Sequence, residues 1–262
     1  MNNELTHFPR TIIRIGRQTL AFALPLDEVA YEPYTVKSGM SMAANLREAF
    51  HDSVILSKEN SRAQVMLDAP VMLVPLEEFE ETEIETMFLH TFPDTQGQAV
   101  MHHVIPDINS VAVFSINKDV RMVITDHFDD VRIMPLCVPV WQHLHQRSYA
   151  GLSRKMYAYF HDRQVTVFAF AKNRFRFCNT FAATETADST YFILYVWQQL
   201  TMDYQKDELY IVGEFQEKDV LKDELRRYVA NVFTVNPSAE FNRAAVTQIP
   251  NITYDIICLC ES

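Results

Sequence analysis

Glycine is scarce in this chain. There are five in 262 residues, where the usual ~7% would give about 18. Folds that grip nucleotide phosphates with main-chain N–H groups need glycines where chain and ligand approach closely. Neither GxGxxG nor GxxxxGKS/T occurs, which excludes P-loop and Rossmann dinucleotide chemistry. Four cysteines, Cys137, Cys178, Cys258 and Cys260, are too few for a disulfide-built scaffold of this size. The longest apolar run, YFILYVW at 191–197, is far short of the roughly 18 residues that cross a bilayer. The start, MNNELTHFPR, has no apolar stretch and carries Glu4, so no signal peptide is expected. These absences together point to a cytoplasmic protein. Positive charge is also sparse: 23 basic residues face 34 acidic ones, the net charge is −11, and no Lys/Arg cluster exceeds a pair. A nucleic-acid partner is therefore not expected. The acidic run EEFEETEIE at 77–85 reads as the solvated face of a helix.

Strands dominate what is present. TIIRIGRQTLAFAL at 11–24 reads as two β-strands joined at Gly16-Arg17-Gln18, by period-2 alternation and β-branched content. A third strand follows at 30–36, where Pro33 marks an edge or a bulge. Next come a helix at 41–50, strands at 62–67 and 71–75, and the acidic helix ending near His90, with Phe79, Ile84, Phe88 and Leu89 turned inward. Residues 91–98 read as a loop. Further strands are expected at 99–105, 110–116, 120–125 and 131–136, with a turn at Asn117-Lys118-Asp119, then a helix at 140–148. A second hairpin turns at His161-Asp162-Arg163 and is followed by a strand at 173–181. A helix at 187–202 is capped by Thr184 or Thr186. The chain then reads strand 207–213, a helix at 217–229 with Val220, Leu221, Leu225, Tyr228 and Val229 on its apolar face, and closing strands NVFTV and TYDIICLC.

The two halves echo each other. The slide that lays Gly16 on Asp162 places GRQTLAFAL over DRQVTVFAF and matches Arg17 with Arg163, Gln18 with Gln164, Phe22 with Phe168 and Ala23 with Ala169. Each half then reads hairpin, third strand, helix, strand, helix, which implies a duplicated α/β fold with halves at 1–148 and 149–262.

Two β-β-β-α-β-α halves, each led by a hairpin, resemble the actin-like (ribonuclease H-like) ATPase superfamily, and in particular its degenerate branch that includes the pilus-assembly protein PilM. SMAANLREAF, APVMLVPLEEFEE and the terminal TYDIICLCE resemble an uncharacterised bacterial family, numbered 3822 and found mainly in Bacteroidetes. The superfamily places an Asp-x-Gly in each phosphate hairpin, and the resemblance implies those positions here. In the first hairpin Arg14 stands where the metal-handling Asp belongs, while Gly16, Arg17, Gln18 and Thr19 follow. The second, through Asp162, Arg163 and Gln164, has no glycine. The adenosine motif keeps only Gly213, beside Glu214. Losing both carboxylate-plus-glycine hairpins removes Mg²⁺ handling and close phosphate approach together, so no ATP or Mg²⁺ cofactor is expected. In the pilus relative, the cleft and an adjacent groove bind ATP and a partner's short peptide. The resemblance therefore implies the peptide function alone: a non-catalytic, pseudo-ATPase interaction module. The alternative is a phosphotransferase or ATPase with rewired loops, using Asp162 or Glu214.

Other constellations are bland. His102 and His103 diverge across a strand, and His143 and His145 diverge around a helix, so neither pair has the spacing of a zinc site. Cys258 and Cys260 share a strand face but lack a second pair. No G-x-S-x-G nucleophile elbow occurs. No catalytic residue and no metal ligand is assigned. If the hairpin tips face each other, Arg17 and Arg163 suit an anion or an acidic peptide. The helix at 187–202 is apolar nearly all round. It is expected to be sandwiched in the core, with Tyr191, Tyr195 and Trp197 as candidates for a partner or dimer surface.

Overall fold

A computed structural model describes the protein over residues 9–56, 60–149, 151–171 and 174–261. The opening residues read above for a targeting signal lie outside them, as does Asn173 at the start of the expected strand 173–181. The chain divides into two compact units. The first holds the described residues up to 104, then 110–138 and 249–252; the second holds 105–109, 139–248 and 253–261.

The first unit opens with the expected hairpin, β1 (Thr11–Ile15) and β2 (Leu20–Leu24), and continues into β3 (Ala30–Tyr34). Pro33 sits where a missing N–H is harmless, because β3 pairs only with β2 and forms the sheet edge. Helix α1 (Met42–Asp52) starts at Ser41, whose hydroxyl accepts from Ala44 N at 3.2 Å. Its fully buried Asn45 accepts from Lys37 N at 2.8 Å and donates to the carbonyls of Lys37 and Ser41, pinning the incoming loop. Strand β4 (Arg62–Leu67) lies parallel to β1. Next come β5 (Val71–Pro75), α2 (Ile84–Thr91), β6 (Ala99–Ile105) and β7 (Ser110–Ile116), then α3 (Lys118–His127) and β8 (Asp130–Pro135). Sheet order is β3-β2-β1-β4-β8, with a separate β5-β7-β6 sheet. Leu46 and Ala49 of α1 and Val120 and Ile124 of α3 pack on Ile13, Ile15, Phe22 and Val65. Each of the larger buried side chains among these contributes about 1.5–3 kcal/mol.

Residues 117–125 correct a sequence expectation. Asn117-Lys118-Asp119 is not a hairpin turn and 120–125 is not a strand. Asn117 caps α3, accepting from the N–H groups of Asp119 and Val120 at 2.9 and 3.2 Å. Val120, Val123 and Ile124 are buried at helical spacing. The acidic helix is also shorter than expected. Leu76–Glu78 form a single 3-10 turn, 79–83 are irregular, α2 begins at Ile84, and Phe79 is half-buried outside it.

The second unit opens with α4 (Val138–Ser148, from Pro139 on), then β9 (Lys155–His161), β10 (Gln164–Ala171) and β11 (Arg174–Ala182). Helix α5 (Thr186–Gln199), β12 (Glu208–Gly213), α6 (Lys218–Arg226), β13 (Asn231–Thr234), α7 (Pro237–Glu240) and α8 (Tyr254–Cys260) complete it. Helices α5 and α6 bury Ile193, Val196, Trp197, Leu221 and Leu225 on Ala158, Phe160, Val165 and Ile211. Val220 and Tyr228, expected on the inner face of α6, are 53% and 57% exposed. Glu185 is the N-cap of α5 and makes no side-chain cap hydrogen bond; Thr186 bonds Glu217 instead. The terminal TYDIICLC is a helix rather than a strand, with every residue from Tyr254 to Cys258 buried. Cys258 and Cys260, two apart on a helix, do not share a face, and both are free thiols.

Both units repeat one topology. The orders β3-β2-β1-β4-β8 and β11-β10-β9-β12-β13 match, with the same parallel and antiparallel senses. The equivalent of α6 is α3, not the acidic α2. Where Gly213 and Lys218 are separated by only 214–217, residues 68–117 insert β5, α2, β6 and β7. The register also corrects the sequence slide by one residue. Ile15 pairs both Leu20 and Leu67, whereas Phe160 pairs both Val165 and Gly213. Ile15 is thus equivalent to Phe160, and the helix-facing Phe22 to Val167. Phe168 faces the opposite side, against Tyr157. A one-residue slip exchanges the two faces of a strand, so the four matched identities do not coincide in space. The duplication rests on topology.

On the other face of the second sheet, Glu240 accepts from His143 Nε2 at 3.0 Å and pairs with Arg147, joining α7 to α4. Burial works to raise the Glu240 carboxyl, but the His143 hydrogen bond and the Arg147 charge outweigh it and hold the group below its ordinary 4.5. A depressed folded-state pKa contributes stability above the unfolded value and loses it as pH falls through the folded one. Unfolding free energy is therefore expected to drop as pH falls below 4.5. Urea titrations across that range should show a shallower drop for Glu240→Gln.

Candidate functional site

The first hairpin closes through Gly16 N donating to Thr19 O at 2.9 Å, leaving Arg17 and Gln18 at the exposed tip. By sheet register these two match Asp162 and Arg163, not Arg163 and Gln164. Gly16 and Arg17 border a pocket of about 220 Å³ within the first unit, where β1 and β4 end and the insertion begins and returns. Asp68 immediately follows β4. Its N–H donates to Ile15 O at 2.8 Å, and its carboxylate, 8% exposed, lies 3.6 Å from Arg17 Nε. Ser115 donates to Gln98 Oε1 at 2.9 Å on the insertion's return. Asp68, Gln98 and Ser115 were not among the sequence candidates. The available signal for Asp68 was a carboxylate directly after a parallel strand, the end at which open α/β sheets hold ligands.

Arg14 lies in the middle of β1, 2% exposed, paired to Ala21 and Met66 on its two sides. Its guanidinium donates to Thr19 Oγ1 at 3.0 Å. The Thr19 hydroxyl is thus engaged by a buried cation.

In the second unit, Asp162 and Arg163 occupy left-handed backbone, φ 45° and 62°, the geometry of a two-residue type I′ hairpin. The Asp162 carboxylate lies 3.8 Å from His161 Nδ1, and Arg163 is exposed. His161 Nε2 lies 2.8 Å from Thr166 Oγ1, which continues to Thr180 Oγ1 at 2.9 Å. Gln164 is buried opposite His161. Gly213 ends β12 at φ 81°. Its carbonyl accepts from Lys218 Nζ at 2.8 Å, and burial pushes that ammonium below its ordinary pKa. Glu214 is exposed beside it. On α5, Tyr191 and Tyr195 are 63% and 48% exposed and stack on one another. Trp197 is fully buried in the core and offers no partner surface.

A hairpin-led five-stranded sheet occurring twice, with a pair of helices packed on the same face of each repeat and an insertion before the second helix of the first, defines the actin-like ATPase fold. The protein family described as "Protein of unknown function (DUF3822)" matches residues 4–232, and the chain belongs to it. A crystal structure from Bacteroides thetaiotaomicron VPI-5482, of a protein with actin-like ATPase fold and unknown function, is similar over 95% of this chain and 100% of that one. The TM-score is 0.81 and the identity 26%. The PilM–PilN type IV pilus biogenesis complex is similar in fold over 96% of both chains, with TM-score 0.58 and 12% identity. A search among curated proteins found no match. Among the described residues no helix is long and apolar enough to cross a membrane.

Proposed function

We propose that the chain is a non-catalytic actin-like module that binds a protein or peptide partner in the cytoplasm. The observation carrying this reading is Arg14: a buried guanidinium hydrogen-bonded to the Thr19 hydroxyl, where the fold's ATPases hold a carboxylate. Mg²⁺ needs oxygen donors, and a fixed cation at the hairpin repels the ion it would have to manage. The second hairpin turns on Asp162 and Arg163, and the position that matches Gly16 by register is His161, so it carries no glycine. Both features weigh against Mg·ATP being handled as in the fold's ATPases. Support for a partner comes from the fold relative PilM, which occurs in a complex with PilN.

The test is thermal unfolding with millimolar Mg·ATP. A ligand at a hundred times its Kd adds about 2.7 kcal/mol, which in a chain of this size raises Tm by roughly 5–11 °C. No shift beyond about 1 °C is expected. A shift of several degrees that Asp162→Asn abolishes would overturn the proposal in favour of a phosphotransferase or ATPase with rewired loops.

A further inference from the structure

The five-stranded sheets have four edges, and three are blunted. Strand β3 carries Pro33, β8 ends on Pro135, and β13 has four residues. The fourth, β11, has nine residues with neither Pro nor Gly, and among the described residues no strand pairs its outer side. Long open edges are templates for a further strand, and proteins normally obstruct them. The N–H of Thr180 is bonded to the neighbouring Asn179 side chain at 2.9 Å rather than to β10, so the outward-facing groups belong to that set of alternate residues.

The charged side chains of β11 itself have one sign. Strand β11 carries Arg174 and Arg176 and no acidic residue, and Arg163 stands at its far end, where Ala183 N donates to Arg163 O. Among the described residues none of these three guanidinium groups makes a hydrogen bond or ion pair, although the chain as a whole carries −11. Arg176 is the extra residue of a bulge between Phe175 and Phe177. It lines a pocket of about 430 Å³ with Arg154, whose own guanidinium is engaged by Asp207 and the carbonyls of Leu200 and Thr201. Beside the strand, Phe181 stacks on Phe192 of α5 at 4.6 Å, and Tyr191 and Tyr195 continue that aromatic shelf.

We propose that β11 is a docking edge for an extended acidic segment of a partner protein. The segment adds as a sixth strand, its carboxylates meet Arg174 and Arg176, and its alternate apolar side chains lie along Phe181, Phe192 and Tyr191. Main-chain pairing supplies attachment, and the arginines and the shelf supply selectivity. The inference rests on the partner-binding reading above and names the site and the partner's chemistry.

The test selects a phage-displayed library of random octapeptides against the full chain, then measures the enriched peptides by fluorescence polarisation. Alternating apolar and acidic sequences are expected, with affinity lowered by added salt. Two variants report on the edge. Arg174→Glu/Arg176→Glu changes exposed side chains only. Thr180→Pro removes an N–H that does not serve β10 and obstructs a further strand. Each is expected to weaken the selected peptides by about tenfold or more. Arg174→Glu/Arg176→Glu leaves the melting temperature near wild type, whereas Thr180→Pro also loses the hydroxyl bond to Thr166 and lowers it, so the arginine pair is the control for folding. Peptides that bind both variants as tightly as wild type would overturn this site while leaving the partner-binding reading in place. A library that yields no binder overturns the site as well. So does a wild-type dimer in sedimentation that Thr180→Pro converts to monomer, since a second copy would then occupy the edge. Stabilisation by Mg·ATP strikes the partner-binding reading alone.

Discussion

Gly213→Ala is expected to destabilise the second unit by about 3 kcal/mol or more, from two independent sources. The residue sits at φ 81°, where an L side chain is strained. A Cβ there would lie 2.3 Å from the carbonyl oxygen of Phe160 and 3.1 Å from the Tyr159 ring. Neither neighbour yields easily. Phe160 is the rung that pairs with Gly213, and Tyr159 is held by a 2.9 Å hydrogen bond to the buried Asp255. Urea denaturation of the two proteins should show the midpoint falling; a change within about 0.5 kcal/mol would mean that the strand end can shift. This bears on function because the likeness to actin-like ATPases implies that Gly213 is the remnant of an adenosine motif. Its equivalent in the first repeat is Leu67, so the repeat itself does not demand glycine. The close approach of Phe160 and Tyr159 gives Gly213 a backbone reason to persist without any nucleotide.

Local signals sufficed where the local environment decides the structure. Alternation revealed both hairpins, Pro33 announced an edge or a bulge, and the spacing of Met42, Leu46 and Ala49/Phe50 marked α1, where all four reach the core. They failed where tertiary burial dominates. Helix α3 is rich in β-branched residues, whose propensity favours strands, and its Asn117 cap is also a good turn former. Helix α8 is buried on all sides over Tyr254–Cys258, which leaves no period to detect. The insertion at 68–117 was hidden because periodicity shows that an element exists, not which layer it joins; the acidic helix was thus matched to α6 in place of α3. The four identities between the hairpins misled by one residue, since only cross-strand pairing fixes which side chains face the helices. At the candidate site, Gly16 and Arg17 were legible as a hairpin tip. Asp68 and Ser115 reach the same pocket from the two ends of a fifty-residue excursion, which no contiguous motif records.

Arg14→Asp puts a carboxylate where the likeness to actin-like ATPases implies one, and is expected to lower stability by about 3–5 kcal/mol without conferring Mg·ATP binding. Strand β1 is central, paired on both sides, and Arg14 is 2% exposed within it. Its long stem fills space that an aspartate cannot reach, so the substitution opens a cavity and puts an anion inside it. The Thr19 hydroxyl, now accepting from the guanidinium at 3.0 Å, loses that donor as well. Arg14→Met separates these effects. It is close in volume, removes the charge and its hydrogen bonds, and should cost less, about 1–3 kcal/mol. Chemical denaturation ranks the three proteins, and thermal unfolding with and without Mg·ATP reads the nucleotide. A folded Arg14→Asp protein that gains several degrees from Mg·ATP would mean that the hairpin still has the geometry of a phosphate loop and lacks only its carboxylate. The expected failure to gain means that the surroundings have been rebuilt around a cation: β1, Thr19 and the packing of Arg14 form one unit. A carboxylate at this one position would then remove stability without bringing the chemistry.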